Sequence, residues 1–312
     1  MNGKHVTEVH GFTSETGWLD PLRSGEISRS FCESLEDGTI LFIPTLPCEM
    51  ARQDLEFLHS LEQSDTATHK NISYRPKEDI LHGFSASKPE EEKRMHRIMR
   101  TYSRGVVAML GKLLFHYADK WSLDYASYRP YEEENRKLPL HKRHDLVHTD
   151  AFPSRPTRGG LILRCFTNIN SHQPRVWLTT ERFPSLARRY AEEVGLSKII
   201  ARQASPLHRV WKNLKGIAGL PAAPQTAYDL FMRRFHDYLK ENHDFQSHSE
   251  KFVTDFPPHS TWITFTDIVP HAVLSGRYAL EQTFIVPVDA LFDPAKSPVR
   301  VLEEIAGQSL IS

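Results

Sequence analysis

Apolar and polar positions alternate with two different periods along this chain, and the switches between them mark its elements. Residues 38–44 form a short unbroken apolar run and read as a strand. Leu55, Leu58 and Leu61 then recur at helical spacing across 49–61. From Pro89 a longer stripe begins: Met95, Ile98, Met99, Tyr102, Val106, Met109, Leu110, Leu113 and Tyr117 lie three and four apart, as in an amphipathic helix of about seven turns. Pro89 followed by three glutamates suits its start, because proline needs no donor there and acids favour the positive end of the helix dipole. Residues 122–131 alternate as a strand, 160–170 form a long apolar strand, and 175–178 form another. A helix is expected at about 183–194. Residues 196–245 read as mostly helical, with a capping-box start at Thr226 and Asp229 and a stripe of Leu230, Phe231, Phe235, Tyr238 and Leu239. Strands resume at 252–256, 260–267, 270–273 and 277–287, with Ser275-Gly276 signalling a hairpin between the last two. Ser297 as N-cap, Pro298 in the first turn and Gly307 past the end frame a C-terminal helix.

Residues 1–37 show little periodicity and read as a loosely ordered arm or a docking segment. The remainder predicts a main domain over 38–290, with a helical insertion at about 180–245 and a C-terminal helix in 291–312. Strands in the middle and at the end, with helices before and between, fit an antiparallel double-stranded β-helix, the cupin-like jelly roll. In that arrangement helices pack outside one sheet and a ligand pocket lies at the barrel mouth.

Composition narrows the function classes. Lys plus Arg and Asp plus Glu both number 39 in 312 residues, so no overall positive field draws nucleic acid. Three cysteines without a C-x-x-C pair fit a reducing compartment, the cytoplasm. The N-terminus lacks the apolar core of a signal peptide, and no apolar run is long enough to span a bilayer; peripheral contact with a membrane stays open.

The chemistry concentrates at His148-Thr149-Asp150. Side chains two apart on an extended segment share a face, so His148 and Asp150 offer an imidazole and a carboxylate to one point. With His271 as third donor they make a 2-His-1-carboxylate set, the signature of non-haem Fe(II) oxygenases. His141, His144, His172 and His259 are competing histidines; His144 and its neighbour Asp145 would face opposite ways on a strand. Arg155, Arg158 and Arg164, which follow the motif, could hold anionic groups beside a metal.

Three stretches carry a resemblance: R-P-T-R-G-G-L-I-L-R-C-F-T-N-I-N after the motif, then P-R-V-W, then P-H-A-V-L-S-G-R-Y-A-L-E-Q-T-F-I-V-P. Together with H-x-D they look like the bacterial Kdo hydroxylases, Fe(II)/2-oxoglutarate-dependent dioxygenases acting on 3-deoxy-D-manno-oct-2-ulosonic acid in the lipopolysaccharide inner core. The resemblance spans about residues 38–290. It implies hydroxylation of the third carbon of the Kdo sugar on a lipid A precursor, with 2-oxoglutarate and O₂ consumed and succinate and CO₂ released. It implies Fe(II) held by His148, Asp150 and His271. The co-substrate carboxylate falls to Arg164, Arg129 or Arg277, and the acid sugar to Arg155, Arg158, Arg175 and Trp177. The Arg that such enzymes commonly carry after the second His has only an offset counterpart: Arg277 is six residues past His271, and the residue ten past it is Glu281. A homo-oligomer in the cytoplasm, with peripheral contact to the inner membrane, completes the expectation. Two alternatives stay open: a 2-oxoglutarate dioxygenase with a protein side chain or small acid as substrate, and a non-catalytic jelly-roll module that binds glycolipid.

Overall fold

The computed structural model describes residues 5–13, 17–18, 24–61, 72–85, 88–134, 137–204 and 225–311. Its strands are β1 Val6–Glu8, β2 Phe12–Thr13, β3 Gly17–Trp18, β4 Ile40–Ile43, β5 Ile72–Arg75, β6 Ile80–His82, β7 Ser122–Arg129, β8 Leu161–Asn168, β9 Arg175–Thr179, β10 Phe252–Phe256, β11 Ser260–Phe265, β12 His271–Ser275 and β13 Ala279–Val286. Eight of them form one sheet in the order β1-β4-β11-β8-β13-β7-β5-β6, and three form a second in the order β10-β9-β12. The two sheets face each other as a jelly roll. Between them sit Phe42, Phe166, Trp177, Phe256, Trp262 and Val273 in one buried cluster. Phe166 on the larger sheet meets Trp177 on the smaller one edge to face, with ring centroids 4.7 Å apart.

Every residue of β8 is buried, which explains why its sequence runs apolar without alternation. Leu161, Leu163 and Cys165 face the helix Pro89–Leu113 and its neighbours, and the Met95-to-Leu113 stripe of that helix is buried against them. The opposite face carries Arg164 and Phe166 into the space between the sheets. A second helical layer, Phe183–Val194, Leu196–Ala204, Ala227–Glu241, His243–His248 and Pro298–Ala306, covers the outer face of the smaller sheet through Leu178 and Ala272. The first four of these helices lie in sequence between β9 and β10, yet those two strands pair directly, Trp177 opposite Thr254. Part of the expected helical stretch, 205–224, lies outside the described residues. Ala227–Glu241 starts with the anticipated capping box: Asp229 N–H donates to Thr226 Oγ1 at 3.2 Å, and Thr226 N–H donates to Asp229 Oδ2 at 3.0 Å.

Two expectations are corrected. The described residues before position 38 do not form a loose arm: β1 pairs in parallel with β4, and Ser24–Glu36 is a helix. Its buried stripe is Ser28, Cys32, Leu35 and Glu36, in which Leu35 is the one large hydrophobe, so the sequence carries little apolar periodicity there. Glu36 is tolerated inside because Tyr117 Oη–H and the Phe292 and Asp293 N–H groups all donate to it. Ser275-Gly276 is no hairpin either: β12 pairs with β9 while β13 pairs with β8 and β7, so this is a corner where the chain changes sheets.

Gly276 has φ +115°, and a Cβ placed there would lie 2.9 Å from the Arg175 Cα. Both the backbone conformation and the backbone contact demand glycine. Gly276→Ala is expected to lower stability by about 2 kcal/mol or more, read as a drop in the urea unfolding midpoint; an unchanged midpoint would contradict this view of the corner.

Candidate metal centre

The H-x-D segment is positioned from both sides. On one side, His148 N–H donates to His271 O at 3.0 Å and His271 N–H donates to His148 O at 2.9 Å. That reciprocal antiparallel pair puts the two imidazoles side by side on one face, ring centroids 4.9 Å apart. Asp150 N–H then donates to Thr266 O at 3.0 Å, tying the next turn of the segment to the end of β11. On the other side the helical layer supplies side chains where a further strand would otherwise be needed. Gln246 accepts from Val147 N–H and donates to Val147 O, and His236 Nδ1 donates to Thr149 O at 2.7 Å.

The outcome is three buried donors converging. One ligand atom each from His148, Asp150 and His271 lie within 4.8 Å of one another. Both imidazoles are set in the same tautomer. His148 Nδ1 is 2.7 Å from Leu146 O and His271 Nδ1 is 2.9 Å from Val269 O; a carbonyl only accepts, so each Nδ1 carries the proton and each Nε2 keeps a free lone pair. Trp177 stacks on the His271 ring at 4.7 Å and 11°. It is a diagonal neighbour across β9 and β12, since His271 pairs with Thr179.

Electrostatics prepare the same state. Burial pushes His148 well below the usual imidazole range, and the charge of Lys240 and the neighbouring His271 and His236 push the same way. Burial also lowers His271. Burial would raise Asp150, but Arg164, His271 and His148 more than offset it and hold the carboxyl well below its ordinary value. Two neutral imidazoles and one carboxylate are the protonation states a divalent ion needs.

Arg164 reaches across from the larger sheet. Its Nη1 donates to Asp150 Oδ2 at 2.5 Å and its Nη2 to Glu281 Oε1 at 2.5 Å. Arg129 Nη2 lies 3.1 Å from Glu281. The register explains the row: β8, β13 and β7 are neighbours, Glu281 pairs with Phe166 and with Ser127, and Arg164 sits two residues before the first while Arg129 sits two residues after the second. Glu281 and Thr266 were not singled out from the sequence. Glu281, the one charged residue in the strand of residues 279–286, was the available signal, because a buried carboxylate requires a cation.

The remaining sequence candidates lie apart from this row. Arg277 Nε donates to Pro130 O and its guanidinium rests on Tyr278. Arg175 is buried, donating to Gly276 O and Glu133. Arg155 pairs with Asp124 and stacks on Tyr125 and Phe152. Arg158 sits at φ +53°, its N–H donating to Asp229.

A jelly roll whose paired strands present two histidines and a carboxylate to one point has the architecture of a non-haem metal oxygenase. The family model described as 3-deoxy-D-manno-oct-2-ulosonic acid (Kdo) hydroxylase matches residues 19–309, and the chain belongs to that family. Among solved structures, the Kdo hydroxylase KdoO, a non-heme Fe(II) alphaketoglutarate dependent dioxygenase, is similar in its complex with cobalt(II): 32% identity, TM-score 0.85, 99% of this chain and 98% of that one covered. The KdoO complex with alphaketoglutarate and Fe(III) gives 32% identity and TM-score 0.83 over 98% and 97% of the two chains. The complex with succinate and Fe(III) gives 32% and 0.84 over 99% and 98%. Among curated proteins none matches.

Two histidines with ordinary pKa values near 6.5 would cost a metal site about tenfold in affinity between pH 7.5 and pH 6.0, as protons compete for both nitrogens. Both are depressed here, so Co(II) affinity, measured by competition with a metallochromic chelator, is expected to fall less than about threefold over that range. A tenfold fall would contradict the depressed values.

Proposed function

We propose that this chain hydroxylates the third carbon of the Kdo sugar on a lipid A precursor, using Fe(II), 2-oxoglutarate and O₂ and yielding succinate and CO₂. The observation that carries the reading is the convergence of His148, Asp150 and His271 inside a chain of the Kdo hydroxylase family. The donor set fits the ion: two Nε2 lone pairs and one carboxylate oxygen on one side leave coordination positions open on the other. When bound, the iron supplies the activation of O₂ that an unreactive C–H bond requires.

The rest is the work of this chain's own groups. His148 and His271 would hold the metal through Nε2, and their carbonyl partners keep the rings from turning. Asp150 offers Oδ1, because Arg164 occupies Oδ2. Trp177 packs flat against His271 and excludes water from that side. For the co-substrate carboxylate the reading favours Arg129 over Arg164 and Arg277. Arg164 spends both terminal nitrogens on Asp150 and Glu281, and Arg277 is turned to Pro130 and Tyr278. Among the described residues Arg129 binds only Glu281, through Nη2.

No helix among the described residues is long and apolar enough to cross a membrane. The reading places the enzyme in the cytoplasm, meeting a membrane-held substrate by peripheral contact and acting as a homo-oligomer.

The test is incubation of the Fe(II)-loaded protein with a Kdo-bearing lipid A precursor, 2-oxoglutarate and O₂, followed by mass spectrometry of the glycolipid. One added oxygen on Kdo with matching succinate is expected from the wild type, and at least a hundredfold less from Asp150→Ala at unchanged circular dichroism. Succinate without oxygenated Kdo would favour another substrate, and retained turnover in Asp150→Ala would overturn the metal assignment.

A further inference from the structure

The helix Ala227–Glu241 is seated by an apolar stripe of Tyr228, Phe231, Met232, Phe235 and Leu239. Beside that stripe and one turn apart, His236 and Lys240 lie against the H-x-D segment. The His236 ring meets the His148 ring edge to face, centroids 4.9 Å apart. Lys240 is only 4% exposed, and its Nζ makes one bond, a donation to His141 O at 3.0 Å.

What sets Lys240 apart is its charge balance. The other buried cations near the centre each have an acid: Arg164 has Asp150 and Glu281, Arg129 has Glu281, and Arg175 has Glu133. Among the described residues, no carboxylate comes within salt-bridge distance of Lys240. Burial pushes its amine down to about 8, so at neutral pH it still carries a proton. A buried ammonium whose sole hydrogen-bond partner among the described residues is a carbonyl leaves two donors unmet; Asp150, Asp237 and Asp145 act on it only from beyond salt-bridge distance, so the place of a directly paired anion is open to a ligand.

The two poles of the centre therefore differ. From the larger sheet, Asp150 ends a row with Arg164, Glu281 and Arg129, two arginines and two acids with Asp150 included, whose charges cancel. From the helical layer, His148 is approached by an excess positive charge. Accepting the Kdo hydroxylase reading, we infer that Lys240 binds the carboxylate of the acid sugar, with His236 walling the same subsite, so that this helix selects the substrate. Of the three guanidiniums that the sequence nominated for this task, Arg155 and Arg175 already pair with Asp124 and Glu133, while Arg158 bonds Asp229 through its backbone N–H. A carboxylate seated beside His148 would hold the sugar ring next to the open side of the metal, and a neutral sugar would leave the ammonium unmatched.

The experiment compares a soluble short-chain Kdo glycolipid with its carboxylate methyl ester as substrates of the Fe(II)-loaded enzyme. The wild type is expected to prefer the acid at least about tenfold in kcat/KM, the scale of a hydrogen bond to a charged group. In Lys240→Met, which keeps the apolar stem and removes the charge, the preference is expected to shrink to within about twofold through a raised KM for the acid. The KM for 2-oxoglutarate and the affinity for Co(II) are expected to stay within about twofold of wild type, and Lys240→Arg is expected to keep the preference. Where Lys240→Met does not fold, Lys240→Gln, whose amide also donates hydrogen bonds, gives the same ratio. An undiminished preference in the uncharged variants, or a 2-oxoglutarate KM rising in step, would overturn the assignment alone. A wild type that oxygenates neither form would overturn the functional reading and this assignment with it.

Discussion

Two backbone hydrogen bonds, exchanged between His148 and His271, bring together residues far apart in the chain and determine what the site can be. Because they form a closed antiparallel pair, the two imidazoles project from the same face at a separation set by backbone geometry rather than by side-chain choice. Asp150 follows two residues on and joins them. Everything else around the centre serves this pairing. β9 supports β12 and lays Trp177 on His271, the carbonyls of Leu146 and Val269 set both tautomers, and the helical layer satisfies the far side of the motif through Gln246 and His236.

The second constraint is charge. Asp150 and Glu281 are both buried, and each is sustained by a guanidinium held by the larger sheet. The row Arg129, Glu281, Arg164, Asp150 crosses from one sheet to the other. It carries no net charge, so each of its four ionised groups is matched within the row. Removing a single member of such a row typically costs 3–5 kcal/mol, because its partner stays charged and buried. The row thus joins the two sheets and keeps Asp150 ionised for a cation. Burial raises the proton affinity of a carboxylate and lowers that of an imidazole; here Arg164 reverses the first effect, while the second stands for both histidines.

Much of this was legible in the sequence, and the parts that were not have identifiable causes. The strand run of β8, the methionine stripe after Pro89, the Thr226/Asp229 cap and the Ser297/Gly307 frame each carry a local signal, and the structure forms an element at each of them. The three donor residues were legible too, because H-x-D has the period of a strand and His271 lies in a β-rich run. The first helix was missed since only Leu35 of its buried residues is a large hydrophobe beside Ser28, Cys32 and Glu36, and the burial of Glu36 depends on hydrogen bonds made by residues beyond position 116. Ser275-Gly276 was misread as a hairpin because a turn signal states that the chain bends and not which sheet receives the next strand. Arginine roles were hardest. Which acid each Arg meets is set by register between strands distant in sequence, and Glu281 acquires its meaning only once β13 lies between β7 and β8.

We propose that His148, Asp150 and His271 form one iron site with open positions, and anaerobic titration with Fe(II), followed by addition of 2-oxoglutarate and visible spectroscopy, tests it. Uptake of one iron per chain and a new charge-transfer absorption on addition of 2-oxoglutarate are expected, both lost in His271→Ala. Iron uptake that survives in His271→Ala, or an iron spectrum indifferent to 2-oxoglutarate in the wild type, would contradict it.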